Sequence, residues 1–220
     1  MPTGAPFSAI AFSGDRIKQH EIYGRTTVMD GALGLKASAF VYRWEDPQVS
    51  GAGAYPGSGD PAIGNLLEAQ GKGFEFSARY SATDRLSLTA NLGLLETEIT
   101  GTTASQAAFQ GLELPRAPKT TASLGAAWSG SNGFDVAGQV RFVGSHFSAL
   151  GQDKLDSYAV VDLSAGYDWA LGNGNSVRIE AFVDNVFDER YQTFTEATSF
   201  GGLNKVGQPR TIGLSATVEF

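Results

Sequence analysis

Paired carboxylates, two histidines and a set of aromatics in the connecting segments are the residues of this chain with chemistry to offer. Glu96 and Glu98 share one parity on a single segment, and Asp184 and Asp188 stand four apart. Each pair has the composition of an acid/base couple. A carboxylate pair alone supplies neither a nucleophile nor a shaped pocket. Both pairs therefore read as solvated charge, with Glu96 and Glu98 on the wet inner face of a strand or at the base of a loop. His20 and His146 are far apart, and no Ser–His–Asp arrangement can be built on them. His146 opens a connection, where it is either a ligand contact or an ordinary surface side chain. Asp60, Asp153 and Asp156 lie in connections, but no spacing matches a 12-residue calcium loop. The chain has no Cys, hence no thiolate metal site, no Cys nucleophile and no disulfide framework. Gly201-Gly202 and Gly130 to Gly133 are turn glycines rather than phosphate cradles, because no helix follows them. The expectation is a protein without catalytic residues, cofactor or resident metal. Tyr55, Phe109, Phe147, Tyr191, Phe194 and Phe200 are the stronger candidates for ligand contact. Their rings can stack on a sugar or a ring-bearing ligand, or pack within their own loops.

These residues are held between segments of strict alternation. Leu33, Leu35, Ala37, Ala39 and Val41 share a parity. So do Phe74 to Tyr80, Leu86 to Leu94, Ala122 to Trp128, Phe134 to Phe142, Ala159 to Trp169 and Val177 to Val183. His20 to Val28 alternates more weakly. Thr211 to Phe220 alternates to the last residue. Period two predicts strands with one apolar and one wet face, nine in all. Phe40, Tyr42 and Trp44 crowd the polar parity, which predicts a bulge or an aromatic cluster there. Residues 1–18 read as loop, and 19–220 as one strand-built unit.

The connections alternate in length. Short turns follow Val28, Ala82, Trp128 and Trp169; long segments cover residues 46–71, 100–118, 146–157 and 185–210. Charge is only 18% and Gly numbers 28. The apolar parities of the predicted strands carry no charge, while the opposite parities carry Glu75, Arg79, Asp135, Arg141, Asp162, Asp168, Arg178 and Glu180. Apolar-face aromatics sit at strand ends, Trp128, Phe134, Tyr167, Trp169 and Phe220 at the short turns and Phe74 and Phe142 at the long connections. Two aromatic girdles around an aliphatic band, with short turns on one side and long loops on the other, predict an antiparallel transmembrane β-barrel of the outer membrane, in contact with its lipid. The balance of 16 basic and 23 acidic residues, a net of -7, argues against a nucleic-acid partner. The start of the chain does not read as a signal peptide. Two other architectures fit alternation: a small porin-like or structural barrel, which needs a tenth strand from residues 3–14 where Phe7, Ala9 and Ala11 make a poor one, and a soluble β-sandwich binding module.

Short motifs align with these loops. Asn185-Val186-Phe187-Asp188 with Tyr191 resembles the N-L-F-D-x-x-Y segment of TonB-dependent outer-membrane receptors. Gly207-Gln208-Pro209-Arg210-Thr211 resembles the G-x-P-R-T lead-in to their last strand. Gly73-Phe74-Glu75, Leu114-Pro115-Arg116-Ala117-Pro118-Lys119 and the hairpin from His20-Glu21-Ile22 to Asp30-Gly31 are similar to further motifs of that family. The terminal Phe220 resembles the signal read by the barrel-assembly machinery. The resemblance implies energy-coupled import of an iron–siderophore complex, or of cobalamin or a carbohydrate, with the TonB complex as partner of the full-length receptor only. Such receptors have about 22 strands and a plugged lumen. The expectation is therefore the C-terminal portion of the barrel, about nine strands, with the plug domain absent. The motif residues Asn185 and Asp188 read as organisers of the strand-to-loop transition, as Asx side chains are.

Overall fold

A computed structural model describes residues 13–54, 61–151, 153–172, 174–198 and 201–220. The strands are β1 (Arg16–Val28), β2 (Leu33–Glu45), β3 (Gln48–Ala54), β4 (Pro61–Asn65), β5 (Glu68–Ser81), β6 (Leu86–Gly101), β7 (Thr120–Ser129) and β8 (Phe134–Val143). They continue with β9 (His146–Phe147), β10 (Lys154–Leu155), β11 (Tyr158–Gly172), β12 (Asn175–Asp184), β13 (Gln192–Thr198), β14 (Gly201–Val206) and β15 (Thr211–Glu219). One 3-10 turn, η1 (Ala104–Phe109), is the only helical element among the described residues.

Nine strands form a single antiparallel meander in the order β1-β2-β5-β6-β7-β8-β11-β12-β15. They are the nine strands that alternation predicts. The other sheets are two-stranded, and among the described residues no second layer covers either face of this one, so the β-sandwich alternative does not hold. Register keeps the parities in phase. Ala90, Leu124, Val140 and Val161 stand opposite one another across four strands. One residue along, Asn91, Ser123 and Arg141 form the matching row of the other face. The apolar face is open: Leu124, Leu163, Ile179 and Leu214 are all exposed. In water such a face would aggregate; it suits a sheet whose solvent on that side is hydrocarbon.

Four details differ from the sequence expectation. First, β1 begins at Arg16, inside the stretch read as loop. Second, of the two alternatives for the crowded parity of β2, the bulge fails, since β1 and β2 pair without a register shift, and the aromatic cluster holds. Phe40 and Tyr42 stack at 6.5 Å on the polar face. Phe40 lies so close over Gly73 that a Cβ there would stand 2.4 Å from its ring, so glycine is what lets the ring lie flat. Third, the long connections carry structure of their own, as hairpins β3–β4, β9–β10 and β13–β14 and as η1. Fourth, β5 and β6 run on past the aliphatic band, β6 to 16 residues, where about 9–11 suffice to cross a bilayer. Glu96 and Glu98 lie on this extension, in register with Leu94 on the apolar parity rather than on the inner face. Glu96 pairs with Lys72 at 3.0 Å, and Glu98 accepts a hydrogen bond from Gln70 at 3.0 Å.

The buried apolar cluster lies beyond the long-connection end of the sheet. Val49, Ala52, Leu66, Ala69, Ile99, Leu114 and Leu150 form it, with Trp44, Phe109, Leu112 and Ala117 packed around them. It draws on three connections and on the overhanging ends of β5 and β6. The sheet positions a cap, and the cap holds the chain's water-type core.

Candidate ligand cap and inner wall

Side chains stitch the four long connections together. The Gln106 amide donates to the carbonyls of Ala52 and Asn65, both at 2.9 Å. The Arg116 backbone N–H donates to the Phe147 carbonyl at 2.7 Å, and its guanidinium lies 5.0 Å from the Phe194 ring centre. Ser148, buried, accepts from the Thr195 N–H at 2.8 Å and donates to the Thr195 carbonyl. Lys154 sits 4.8 Å from the Phe147 ring centre. Glu113 takes ion pairs from Lys154 and Lys119, each at 3.0 Å. Burial pushes the Glu113 carboxyl up, but the hydrogen bonds and charges of the two lysines outweigh it and hold it below the ordinary carboxylate value.

Each candidate residue has a place in this arrangement. Phe109 ends η1 and packs half-buried on the cap core. Phe147 and Phe194 are half-buried, each under a cation. Tyr191 stacks on Tyr158 with ring centres 4.0 Å apart and covers Gly207, where a Cβ would lie 2.0 Å from the ring. His146 is not a surface side chain: it is 8% exposed, and its Nδ1 stands 3.0 Å from the Gly144 carbonyl. Tyr55, Phe200 and Asp60 lie outside the described residues, as do Phe7, Ala9 and Ala11 of the tenth-strand alternative. Among the described residues no three His, Cys, Asp or Glu side chains converge as a metal site. Reading by residue type missed Arg116, Ser148, Gln106 and Lys154; only Arg116 sat in a segment the motifs had marked.

The Asn185 segment is a hinge pin. Asn185 is 2% exposed with φ at 51°. Its amide donates to the carbonyls of Glu189 and Gln208, and its carbonyl accepts from the Glu189 N–H at 2.8 Å. Asp188, φ 53°, accepts from the Arg210 N–H at 3.0 Å. Arg210 reaches back to the Val186 carbonyl. Pro209 offers its carbonyl to the Thr211 hydroxyl. The two motifs thus tie both roots of the longest connection to each other. Phe187 and Phe220, by contrast, are exposed.

The polar face carries ion pairs. Arg178 engages Asp135 with both terminal nitrogens, and also Asp168 and Glu180. Arg141 pairs with Asp162 at 3.1 Å, whose other oxygen accepts the Asn185 N–H.

Nine meandering strands with an apolar outer face, a charged opposite face and a cap at one end can be compared with known proteins. The profile of the TonB dependent receptor-like β-barrel family matches residues 12–186. The chain belongs to the TonB-dependent receptor β-barrel family. The pesticin receptor of Yersinia enterocolitica is 25% identical over the whole chain, which spans 31% of that protein. The pesticin receptor of Yersinia pestis is 30% identical over 37% of the chain. Among solved structures, the ferric yersiniabactin uptake receptor FyuA from Yersinia pestis superposes with a TM-score of 0.77 at 21% identity, over 95% of this chain and 31% of its own. The ferric-catecholate import receptor Fiu from Escherichia coli, closed form, gives 0.71 at 21% identity, over 98% and 29%. The chain thus spans about a third of the relatives it matches. Membership of this family makes it an outer-membrane β-barrel protein, with the short turns at the periplasmic end, the cap at the extracellular end and the polar face inside.

Proposed function

We propose that residues 19–220 form the C-terminal barrel portion of a receptor for energy-coupled uptake of a scarce ligand, a ferric siderophore before cobalamin or a carbohydrate, with residues 1–18 leading into it. The observation that carries this reading is the cap. Four extracellular connections gather into one surface where cations cover aromatic rings, Arg116 over Phe194 and Lys154 over Phe147. A polarised ring beside a fixed positive charge suits an anionic, ring-bearing metal chelate. Iron–siderophore receptors among the similar structures support the same class.

In this reading Phe147 and Phe194 contact the ligand, Phe109, Tyr191 and His146 shape the surface beneath it, and Tyr55 and Phe200 are further contacts. Lipid meets the apolar face. The barrel-assembly machinery reads the last strand through Phe220, and the TonB complex acts on the whole receptor. The chain has no catalytic role. The test is binding of ferric yersiniabactin and ferric citrate to outer membranes of cells expressing the receptor that carries this segment. Arg116→Ala and Phe194→Ala are each expected to weaken binding about 2- to 30-fold, the range of one cation–π contact. Binding no better than to membranes lacking the receptor overturns the reading.

A further inference from the structure

The nine sheet strands carry nine Lys and Arg residues, and register divides them between the two faces. Arg16, Lys18, Arg43 and Lys72 share the apolar parity, in phase with Ile22, Ala39 and Phe74. These outward-facing cations all stand on β1, β2 and β5, at the extracellular end. The outward parities of the other six sheet strands carry none. Lys18 is directly opposite Arg43, and Lys72 lies two residues from Gln70, the partner of Arg43 on β5. Lys72 is two residues, about 7 Å, beyond Phe74 of the extracellular girdle, so the cluster starts where the aliphatic band stops. Neither a plug in the lumen nor further strands of a barrel lie over its outer face, so in the whole receptor too this face meets the surrounding membrane.

Between the cations and the band, a groove of about 910 Å³ runs across β1, β2, β5 and β6. Lys72 and Glu96 stand in its upper wall, and Ile22, Phe74 and Leu94 in its lower one. One wall is thus charged and the other apolar. Lys18 pairs with Glu45, Arg43 with Glu68, and Lys72 with Glu96 at 3.0 Å. Lys18 and Arg43 reach further out than their partners: their side chains are 57% and 62% exposed, against 32% for Glu45 and 25% for Glu68. Exposed ion pairs are weak, and an ammonium or guanidinium group has more N–H donors than one carboxylate takes. The carboxylates therefore orient the cations and leave donors facing the membrane.

We infer that this groove is a docking site for one phosphorylated lipid of the surrounding leaflet. Its phosphate meets Lys18, Arg43 and Lys72, and its chains lie along Ile22, Phe74 and Leu94. The charges select the headgroup: the guanidinium fork takes phosphate oxygens in pairs, and the two ammonium groups add point charges. The apolar wall selects a lipid over free phosphate, because only a lipid brings chains to cover it. A bilayer presents its lipids in this orientation, headgroup at the interface and chains in the band. The inference rests on the outer-membrane location of the barrel and deepens the lipid contact proposed above; it makes no use of the ligand cap.

The experiment uses the receptor that carries this segment, purified in a neutral detergent. It is mixed with two lipids of the same oleoyl chains: phosphatidic acid, a phosphomonoester, and phosphatidylcholine, which has no net charge. Native mass spectrometry counts the lipid molecules that stay bound. One phosphatidic acid is expected to be retained, at least about tenfold more strongly than phosphatidylcholine. Each cation lost should weaken it about fivefold, and Arg43→Gln/Lys72→Gln therefore about 25-fold. If the double variant does not fold, Lys72→Gln alone reads the single step. Ala39→Trp fills the groove between Ile22 and Phe74 and should weaken retention with every charge kept. Arg79→Gln, which removes a cation of the inner face, should leave it unchanged. Inorganic phosphate at the lipid's concentration should not displace it. Binding of ferric yersiniabactin, tested in the same variants, should match the unsubstituted receptor, so a failed groove and a failed cap are read apart. No preference for phosphatidic acid, a preference that survives loss of Arg43 and Lys72 or the Ala39→Trp change, or displacement by inorganic phosphate overturns the inference.

Discussion

The strand wall and the extracellular cap obey opposite rules of burial. On the wall, large apolar side chains point outward and stay exposed, as Leu124 at 60% and Leu214 at 79% do. In the cap, Leu66 and Ile99 are wholly buried. The wall is held by cross-strand backbone hydrogen bonds; the cap is held as a small soluble domain is, by a hydrophobic cluster and side-chain hydrogen bonds between distant connections. One chain thus contains two solvents' worth of design, divided at the row where Lys72 meets Glu96.

That division can be broken from either side. The largest effect is expected from Ile99→Ala or Leu66→Ala, each of which empties a fully buried site in the cap core. A loss of about 2–5 kcal/mol is typical of such truncations. It should appear as proteolytic opening of the connections in a barrel that still assembles; failure to assemble would mean that cap and wall fold as one unit. Next comes the wall. Leu124→Arg places a charge in the aliphatic row, at about 2–4 kcal/mol, and should block insertion into liposomes. Ser123→Arg, one residue along on the inner face, loses the hydrogen bond from Asn91 but should insert. Equal tolerance of both would refute the assigned faces.

Asn185→Ala tests the seam between the two regions. It leaves the Glu189 N–H and the carbonyls of Glu189 and Gln208 without their partner, a cost of about 1–3 kcal/mol. Hydrogen exchange should rise in residues 186–210 and not in β12. The smallest effect is that of pH on Glu113. Its folded value is lowered, so its contribution to cap stability is present above the ordinary value of 4.5 and is lost as pH falls through the folded value. Fluorescence of Trp44, packed against the cap core, should report that loosening on acidification, and Glu113→Gln should flatten it.

Much of this was legible in the residues alone. The nine strands, their faces and the alternation of short and long connections follow from period two, because a strand's own neighbours decide which face a side chain takes. The role of Asn185 and Asp188 at a strand-to-loop junction was legible for a related reason, since Asx side chains bond locally. The inner-face alternative for Glu96 and Glu98 fails because the parity of Leu94, continued two and four residues further, puts both on the outside; the loop-base alternative fits their place on the overhang of β6. The burial of His146 is not legible in the sequence, because a lone histidine in a connection carries no sign of the layer that covers it.

By itself, then, the sequence determined a membrane-type meander, its two faces and the family motifs at its hinges, all of them set by interactions within a few residues. Only the tertiary structure decided which charges are compensated and which loops meet. The contact of Ser148 with Thr195 spans 47 residues, and the pairs of Arg178 with Asp135 and Asp168 depend on the alignment of three strands. Register and long-range packing choose such partners through geometry that no local pattern encodes, which is why the cap and the ion pairs of the polar face emerge only once the strands are side by side.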